Sequence, residues 1–295
     1  MTYYLGVDIG TTSTKAIAFS DAGEVLADNV VRYGMQHPAP DRSEQDPEEI
    51  VRAVISTINK TVSEMAPATP ALISFSVAMH SLILIDASAN ALTPCIIWAD
   101  NRANEIARQL RNSETGKQFY AATGVPVHSM SPLCKILWMK EYEPDLFKQV
   151  YKFIGIKEYI FQKLFGRIFV DTGIASATGL LDLETLQWHP GILTFAGITA
   201  EQLPELVSPK YTFTSDTVTE HLSIPAGTVI VAGGSDGGMA NLGSGATNQQ
   251  TMAITIGTSG AARMIVDGIV TDPSMRIFCY HLKDNYYFTG GANNN

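Results

Sequence analysis

Apolar residues open this chain in short runs separated by turn chemistry. Tyr3 to Val7, Lys15 to Phe19 and Val25 to Tyr33 each read as a strand, with Ser20-Asp21-Ala22-Gly23 as the turn between the last two. They predict an antiparallel meander. At Asp46-Pro47-Glu48-Glu49 the period changes. An N-cap, a proline at the first helical position and two acids in the first turn precede apolar residues at Ile50, Val51, Val54, Ile55 and Ile58, which is the spacing of an amphipathic helix. Leu72 to Val77, Leu82 to Ile85 and Cys95 to Trp98 read as further buried strands, leading into a helix from about Arg102 to Leu110. Later helices are predicted at Pro132 to Tyr142, Lys157 to Phe165 and Pro190 to Phe195, and a strand from Ala226 to Ala232 ending in Gly233-Gly234-Ser235-Asp236-Gly237-Gly238. A meander followed by βαβ elements and then a restart predicts an α/β fold of duplicated domains with a cleft between them.

Two polar segments interrupt this pattern in the same way. Asp8-Ile9-Gly10-Thr11-Thr12-Ser13-Thr14-Lys15 follows the first apolar run. Thr255-Ile256-Gly257-Thr258-Ser259-Gly260-Ala261-Ala262-Arg263 follows the run Met252 to Ile256 and leads into Met264 to Val266. Each reads as a β-hairpin whose turn is built of Gly, Thr and Ser. Glycine permits close approach of the backbone, and successive N–H groups with hydroxyls form a concave anion site. Facing each other, the two hairpins could grip one polyphosphate, with Asp8 available for a metal; the alternative is a pair of ordinary hairpin turns.

Composition narrows the class. With 295 residues, 45% hydrophobic and 17% charged, the chain can bury a large core and fits a soluble enzyme of more than one domain. A net charge of −9 without any Lys/Arg cluster argues against nucleic acid, and an anionic small molecule would need locally placed cations. MTYYLGVDIG has no basic segment before its apolar run, so no signal peptide is expected. Ala71 to Ala87, the most apolar later stretch, is broken by Ser74, Ser76, His80, Ser81 and Asp86, and reads as core rather than a membrane span. Cys95, Cys134 and Cys279 are odd in number and scattered, which suits a reducing cytoplasm.

Several of these segments together resemble one family. Asp8-x-Gly10-Thr11-Thr12-x-x-Lys15, Met79-His80, Trp98-x-Asp100-x-Arg102, Lys157-Glu158-Tyr159, Gly234-x-Asp236-Gly237 and Ile256-Gly257-Thr258-Ser259-Gly260 are similar to the FGGY carbohydrate kinases, members of the actin-like, hexokinase-like ATPase superfamily. Met130 to Glu141 resembles the family's first signature and departs from it at Tyr142, where Glu, Asn, Gln or His is usual. Phe75 to Ser81, Thr93 to Arg102 and Tyr151 to Phe161 are most similar in wording to the gluconate-phosphorylating members. The resemblance therefore implies an actin-like, RNase H-like α/β fold and transfer of the γ-phosphoryl group from magnesium-ATP to D-gluconate, giving 6-phosphogluconate. The alternatives are another sugar or polyol (xylulose, ribulose, glycerol), a non-catalytic ATP switch like the chaperone and actin relatives, and a sugar-binding fragment without kinase activity.

Each part of that chemistry has a candidate. The resemblance makes Asp8 the metal residue, held through water, or else a carboxylate capping the hairpin turn. Gly10, Thr11, Thr12, Gly257, Thr258 and Ser259 would hold the phosphates. Lys15 would add charge or point away on its strand. Asp236 would be the general base, its neighbours Gly233, Gly234, Gly237 and Gly238 admitting substrate; the other reading is an Asx turn. Met79, His80 and Trp98 would line the sugar site and Asp100 and Arg102 bond hydroxyls or carboxylate, against the plainer readings of a core histidine and a helix cap with a surface arginine. Lys157-Glu158-Tyr159 is expected to be the start of a solvated helix.

The resemblance also implies a division, with residues 1–246 as a first lobe and 247–295 as the start of a second. Gly290 to Asn295 is similar to a motif inside that second lobe, so the chain is expected to stop early, leaving the hairpin Met252 to Val266 with few partner strands, nucleotide affinity poor and turnover negligible. A sugar acid is the expected partner, and a homodimer is compatible with the resemblance.

Overall fold

A computed structural model describes residues 2–214, 221–256 and 259–294. The opening meander is present. Strand β1 (Thr2–Ile9) buries Tyr3, Leu5, Val7 and Ile9 on one face and exposes Tyr4 and Asp8 on the other. It pairs antiparallel with β2 (Ser13–Phe19), which pairs with β3 (Val25–Arg32). The turn between β2 and β3 closes on the Ser20 hydroxyl, which accepts the N–H groups of Ala22 and Glu24 at 3.2 and 3.1 Å.

Helix α1 (Pro47–Glu64) starts where the acids and proline predict. The Asp46 carboxylate accepts the Glu48 N–H at 2.9 Å, and Ile50, Val51, Val54 and Ile58 are buried in the same core as the β1 face. Each such aliphatic side chain contributes about 1.5–3 kcal/mol by leaving water. The helix is the crossover that lets β4 (Thr69–Val77) lie parallel to β1, with Ile9 opposite Val77. Two later strands complete a six-stranded sheet: β5 (Thr212–Thr214) at the edge, and β6 (Val229–Ser235) parallel to β4 with Ser235 opposite Val77. The order is β5-β6-β4-β1-β2-β3. The carboxyl ends of β1, β4 and β6 thus reach one edge together, the place where open α/β sheets bind ligands.

The glycine run departs from its reading. The strand does not stop at Gly233 but passes through Gly233 and Gly234 to Ser235, and Asp236 opens a helix, α5, described below in chain order. A register shift between Val231 and Gly234 accommodates the passage. Gly233 has φ +69°, and a Cβ there would lie 1.9 Å from the Phe75 carbonyl oxygen. Only glycine fits.

The segments between β4 and β5 form a helical layer with its own core, including α2 (Pro132–Tyr142) at its expected bounds. Leu82 to Ile85 and Cys95 to Trp98 do not extend the main sheet. They shorten to Ile83–Ile85, paired with Lys152–Ile154, and Cys95–Ile96, paired with Glu44–Gln45. The next helix starts at Asn104 rather than Arg102, because a turn closed by Asp100 N–H to the Ile97 carbonyl precedes it. Helix α3 (Ile156–Phe165) corrects the expectation of a solvated start: Lys157, Glu158 and Tyr159 are all buried. Lys157 pairs with Asp171, the Glu158 carboxylate accepts the Gly155 N–H at 2.8 Å, and Tyr159 donates to Glu48 at 2.6 Å. A short helix, α4 (Thr172–Ser176), follows, and α5 (Asp236–Gly243) comes after β6.

The last strands form a second sheet. β7 (Met252–Ile256), β8 (Ser259–Asp267), β9 (Phe278–Lys283) and β10 (Tyr286–Asn294) are all antiparallel in the order β7-β8-β10-β9. The hairpin expected to have few partner strands has one directly paired with it and one beyond: β10 pairs with β8 along its length, from Ser259 opposite Asn294 to Asp267 opposite Tyr286, and β9 pairs with β10. Phe278 stacks on Tyr280 with ring centroids 4.6 Å apart, and Phe288 meets both edge-on, so the sheet has its own aromatic core.

Candidate active site

Three strand ends and the second sheet enclose a cleft of about 320 Å³ lined by Thr11, Met79, His80, Trp98, Asp236 and Arg263, among others. A narrower void behind His80, lined by Ser81, Ile156 and Leu180, holds about 30 Å³, room for water but not for a sugar.

From the end of β1, Asp8 presents an exposed carboxylate that accepts the Ser76 hydroxyl at 2.7 Å. Lys15 lies directly opposite Asp8 on β2. Directly paired residues share a face, so Lys15 sits on the Asp8 side of the sheet. The following turn is tied from beneath. Gly10 N–H donates to the Ser13 carbonyl at 3.0 Å, Tyr33 donates its hydroxyl to the Gly10 carbonyl at 2.6 Å, and Gln45 donates to the Thr11 carbonyl at 2.7 Å. The Trp98 indole N–H donates to the Thr11 hydroxyl at 2.9 Å, while Thr12 remains exposed. Trp98 is thus both a wall of the cleft and a prop for the turn.

From the end of β4 come Met79 and His80. His80 has φ +68°, uncommon for a residue with a side chain. Lys135, buried in α2, fixes it by donating to the carbonyl oxygens of His80, Ile96 and Ile97 at 2.6, 3.2 and 2.8 Å. The His80 Nδ1 lies 2.9 Å from the Ala177 carbonyl oxygen, which can only accept, so the proton is on Nδ1 and Nε2 is the acceptor. Burial and then the Lys135 charge push the imidazole down to about 3, so it is neutral at physiological pH.

From the end of β6 comes Asp236, the first residue of α5, with Ser235 as N-cap accepting the Gly238 N–H at 3.3 Å. The Asp236 side chain opens onto the cleft, yet the surrounding walls displace much of the bulk water. That crowding is the main reason its carboxyl is pushed up to about 6; the Gly237 N–H, donating at 2.8 Å, pulls it back, Asp8 pushes it further up and Arg263 again lowers it. The neighbouring glycines do not simply admit substrate. A Cβ on Gly234 would meet Met239, one on Gly237 would meet Met79 and Phe288, and one on Gly238 would meet Leu282, at 2.8 to 3.4 Å. They let protein pack against α5.

Asp100 and Arg102 are not brought to the cleft. Asp100 is fully buried and takes the Ser43 N–H at 2.8 Å together with the Arg102 side chain at 2.8 and 2.9 Å. Arg102 also pairs with Glu44 and stacks over Trp138, so it is neither a surface arginine nor a cleft cation. Gly257 and Thr258 lie outside the described residues, and Ser259 begins β8. Arg263, Tyr280, Thr255 and Met130 also line the cleft; Thr255, Arg263 and Met130 stood inside segments read from the sequence but were given no site role, and Tyr280 was not read at all. Arg263 was legible in principle: on an extended β8 it falls on the same face as Ala261, at the mouth of the phosphate hairpin.

Among the described residues no helix is long and apolar enough to cross a membrane, and no cluster of three or more His, Cys, Asp or Glu is placed to hold a metal. The three cysteines are buried and free.

Residues 3–243 match the model of the FGGY family of carbohydrate kinases, N-terminal domain. The chain is 43% identical over 295 residues to a gluconokinase of Bacillus licheniformis, covering 99% of this chain and 58% of that one. Among solved structures it is similar to a gluconate kinase from Lactobacillus acidophilus (TM-score 0.95, 37% identity) and a ligand-bound xylulose kinase from the same organism (TM-score 0.96, 36% identity), each covering all of this chain and 60% of the other. The chain thus spans under two thirds of the length of these relatives. With an actin-like α/β lobe and this match across most of its length, the chain belongs to the FGGY family of carbohydrate kinases.

Proposed function

We propose that the whole protein is a cytoplasmic kinase that transfers the γ-phosphoryl group of ATP to the terminal hydroxyl of D-gluconate, giving 6-phosphogluconate and ADP. The observation that carries this reading is that Thr11 of the Gly10–Ser13 turn and Asp236 line one cleft with a sugar-sized volume, with Asp8 near enough to Asp236 for its charge to raise that carboxyl. Gluconate is favoured over neutral sugars by the 43% identity to the Bacillus licheniformis gluconokinase, against 36% to the xylulose kinase of Lactobacillus acidophilus. Buried free thiols suit a reducing compartment.

In this reading the substrate hydroxyl lies against Asp236. As its oxygen bonds to the γ-phosphorus, its proton passes to the Asp236 carboxylate, and the bond from the γ-phosphorus to the bridging oxygen breaks with that electron pair leaving on ADP. A carboxyl near 6 is mostly ionised at pH 7 and still basic enough to take the proton. The exposed Asp8 carboxylate, with one serine hydroxyl as partner and no ring of further ligands among the described residues, fits a magnesium ion held mainly by water and phosphate. Bound there, the ion would neutralise phosphate charge. Thr11, Thr12, Lys15, Gly257, Thr258 and Ser259 would present N–H, hydroxyl and ammonium groups to the phosphates. We take residues 1–246 as the sugar-binding lobe and 247–295, which contribute a separate sheet, as opening the second.

A competition assay tests the reading. The whole protein with ATP should phosphorylate gluconate in preference to xylulose by more than about tenfold in kcat/KM. Equal or better use of xylulose would move it to the neutral-sugar reading that the xylulose kinase likeness supports.

A further inference from the structure

We infer that Arg263 is the specificity-determining cation of the cleft, placed to hold the carboxylate of a sugar acid; the inference rests on the proposed sugar-acid kinase reading and assigns the residue responsible for it.

The charges around the cleft leave few other choices. Asp236 and the nearby Asp8 both repel an anion, and Lys15, opposite Asp8 on β2, does not line the cleft. His80 is neutral, held so by burial and Lys135. Lys135 spends its donors on three backbone carbonyls, Lys157 is closed on Asp171, and Arg102 is closed on Asp100 and Glu44. Among the described residues lining the cleft, Arg263 alone is a lysine or arginine.

Its own donors are largely unspent. One terminal nitrogen donates to the Thr255 hydroxyl at 2.7 Å, the buried Nε has no hydrogen-bond partner, and no carboxylate forms an ion pair with it among the described residues. A guanidinium with an unpaired buried N–H is costly unless an acceptor arrives, and its planar fork matches a carboxylate. The position is also fixed. Asn241 on α5 donates to the Arg263 carbonyl at 3.2 Å, and the Arg263 side chain passes Gly237, where a Cβ would lie 3.6 Å from its Cδ. The helix that carries Asp236 therefore also anchors the strand that carries Arg263. These two contacts set the spacing between the group that activates the hydroxyl and the group that reads the carboxylate.

The test compares D-gluconate with D-glucitol, which replaces the carboxylate by a neutral alcohol on a chain of equal length. Using the whole protein, kcat and KM for both are measured at about pH 8, where the Asp236 carboxylate stays ionised with or without the Arg263 charge beside it, for wild type, Arg263→Leu and Arg263→Lys, with thermal melting as the check on folding. Wild type should prefer gluconate. Arg263→Leu should raise the gluconate KM by at least about tenfold and change kcat/KM for glucitol by less than about threefold, while Arg263→Lys keeps part of the preference. Should Arg263→Leu fail to fold, the same split in Arg263→Lys decides, since it keeps charge but loses the fork. An unchanged preference in a folded variant overturns the inference, as does an equal fall in kcat on both substrates, which would put Arg263 on the transferring phosphoryl group. A wild type indifferent to the carboxylate would instead defeat the sugar-acid reading itself.

Discussion

At the scale of single residues, type and spacing said more about what was present than about which way it pointed. The readings of Asp236 and Asp8 rested on the family resemblance, because a carboxylate among glycines or before a Gly-Thr-Thr turn is equally a turn residue, and each here accepts one hydrogen bond, from Gly237 N–H and from the Ser76 hydroxyl. Trp98-x-Asp100-x-Arg102 was misleading. Nothing in that spacing tells whether the acid and the base face a cavity or each other, and the structure closes them together beneath Trp138. Outside the cleft, they tie the segment after Trp98 to Ser43 and Glu44. Asp100→Asn should therefore act on stability, since breaking a buried charge pair costs about 3–5 kcal/mol. Denaturant unfolding checks this: the midpoint should fall clearly, and a variant of wild-type stability that has lost only sugar affinity would return Asp100 to the substrate.

At the scale of elements, the meander, α1 and α2 were readable because caps, turns and a one-sided apolar period all agree there. Other elements hid for physical reasons. In β9 every residue from Phe278 to Leu282 is buried, so the alternation that marks a half-exposed strand is missing, although the Asp284-Asn285 turn before Tyr286 was a usable hairpin signal. The start of α3 read as solvated because its Lys and Glu are charged, and their buried partners come from distant segments. The glycine run at the end of β6 and the start of α5 was assigned to substrate access, whereas Gly233 serves the passage of the strand past Phe75. Gly233→Ala should lower stability by more than about 1 kcal/mol, because both the positive φ and the Phe75 carbonyl exclude a methyl group. A melting curve like that of wild type would show that the strand passes some other way.

At the scale of the whole molecule, the two sheets meet over α5, and the cleft exists because β1, β4 and β6 end together while β8 brings Arg263 against them. That architecture followed from the order of elements and from the family resemblance; the facing of the second sheet onto Asp236 did not, because it depends on long-range pairing. The central claim is that Asp236 is the base of this cleft, and the direct measurement is the pH dependence of kcat and KM for gluconate in the whole protein, wild type against Asp236→Asn. Since the folded environment raises the Asp236 carboxyl, the working ionised form is present above about pH 6 and lost as pH falls through it. Wild-type kcat/KM should decline on the acid side near that pH, and Asp236→Asn should lower kcat by at least about 10²-fold with a far smaller change in gluconate binding and no such limb in what remains. Near-normal turnover of Asp236→Asn, with the acid limb intact, would contradict the account.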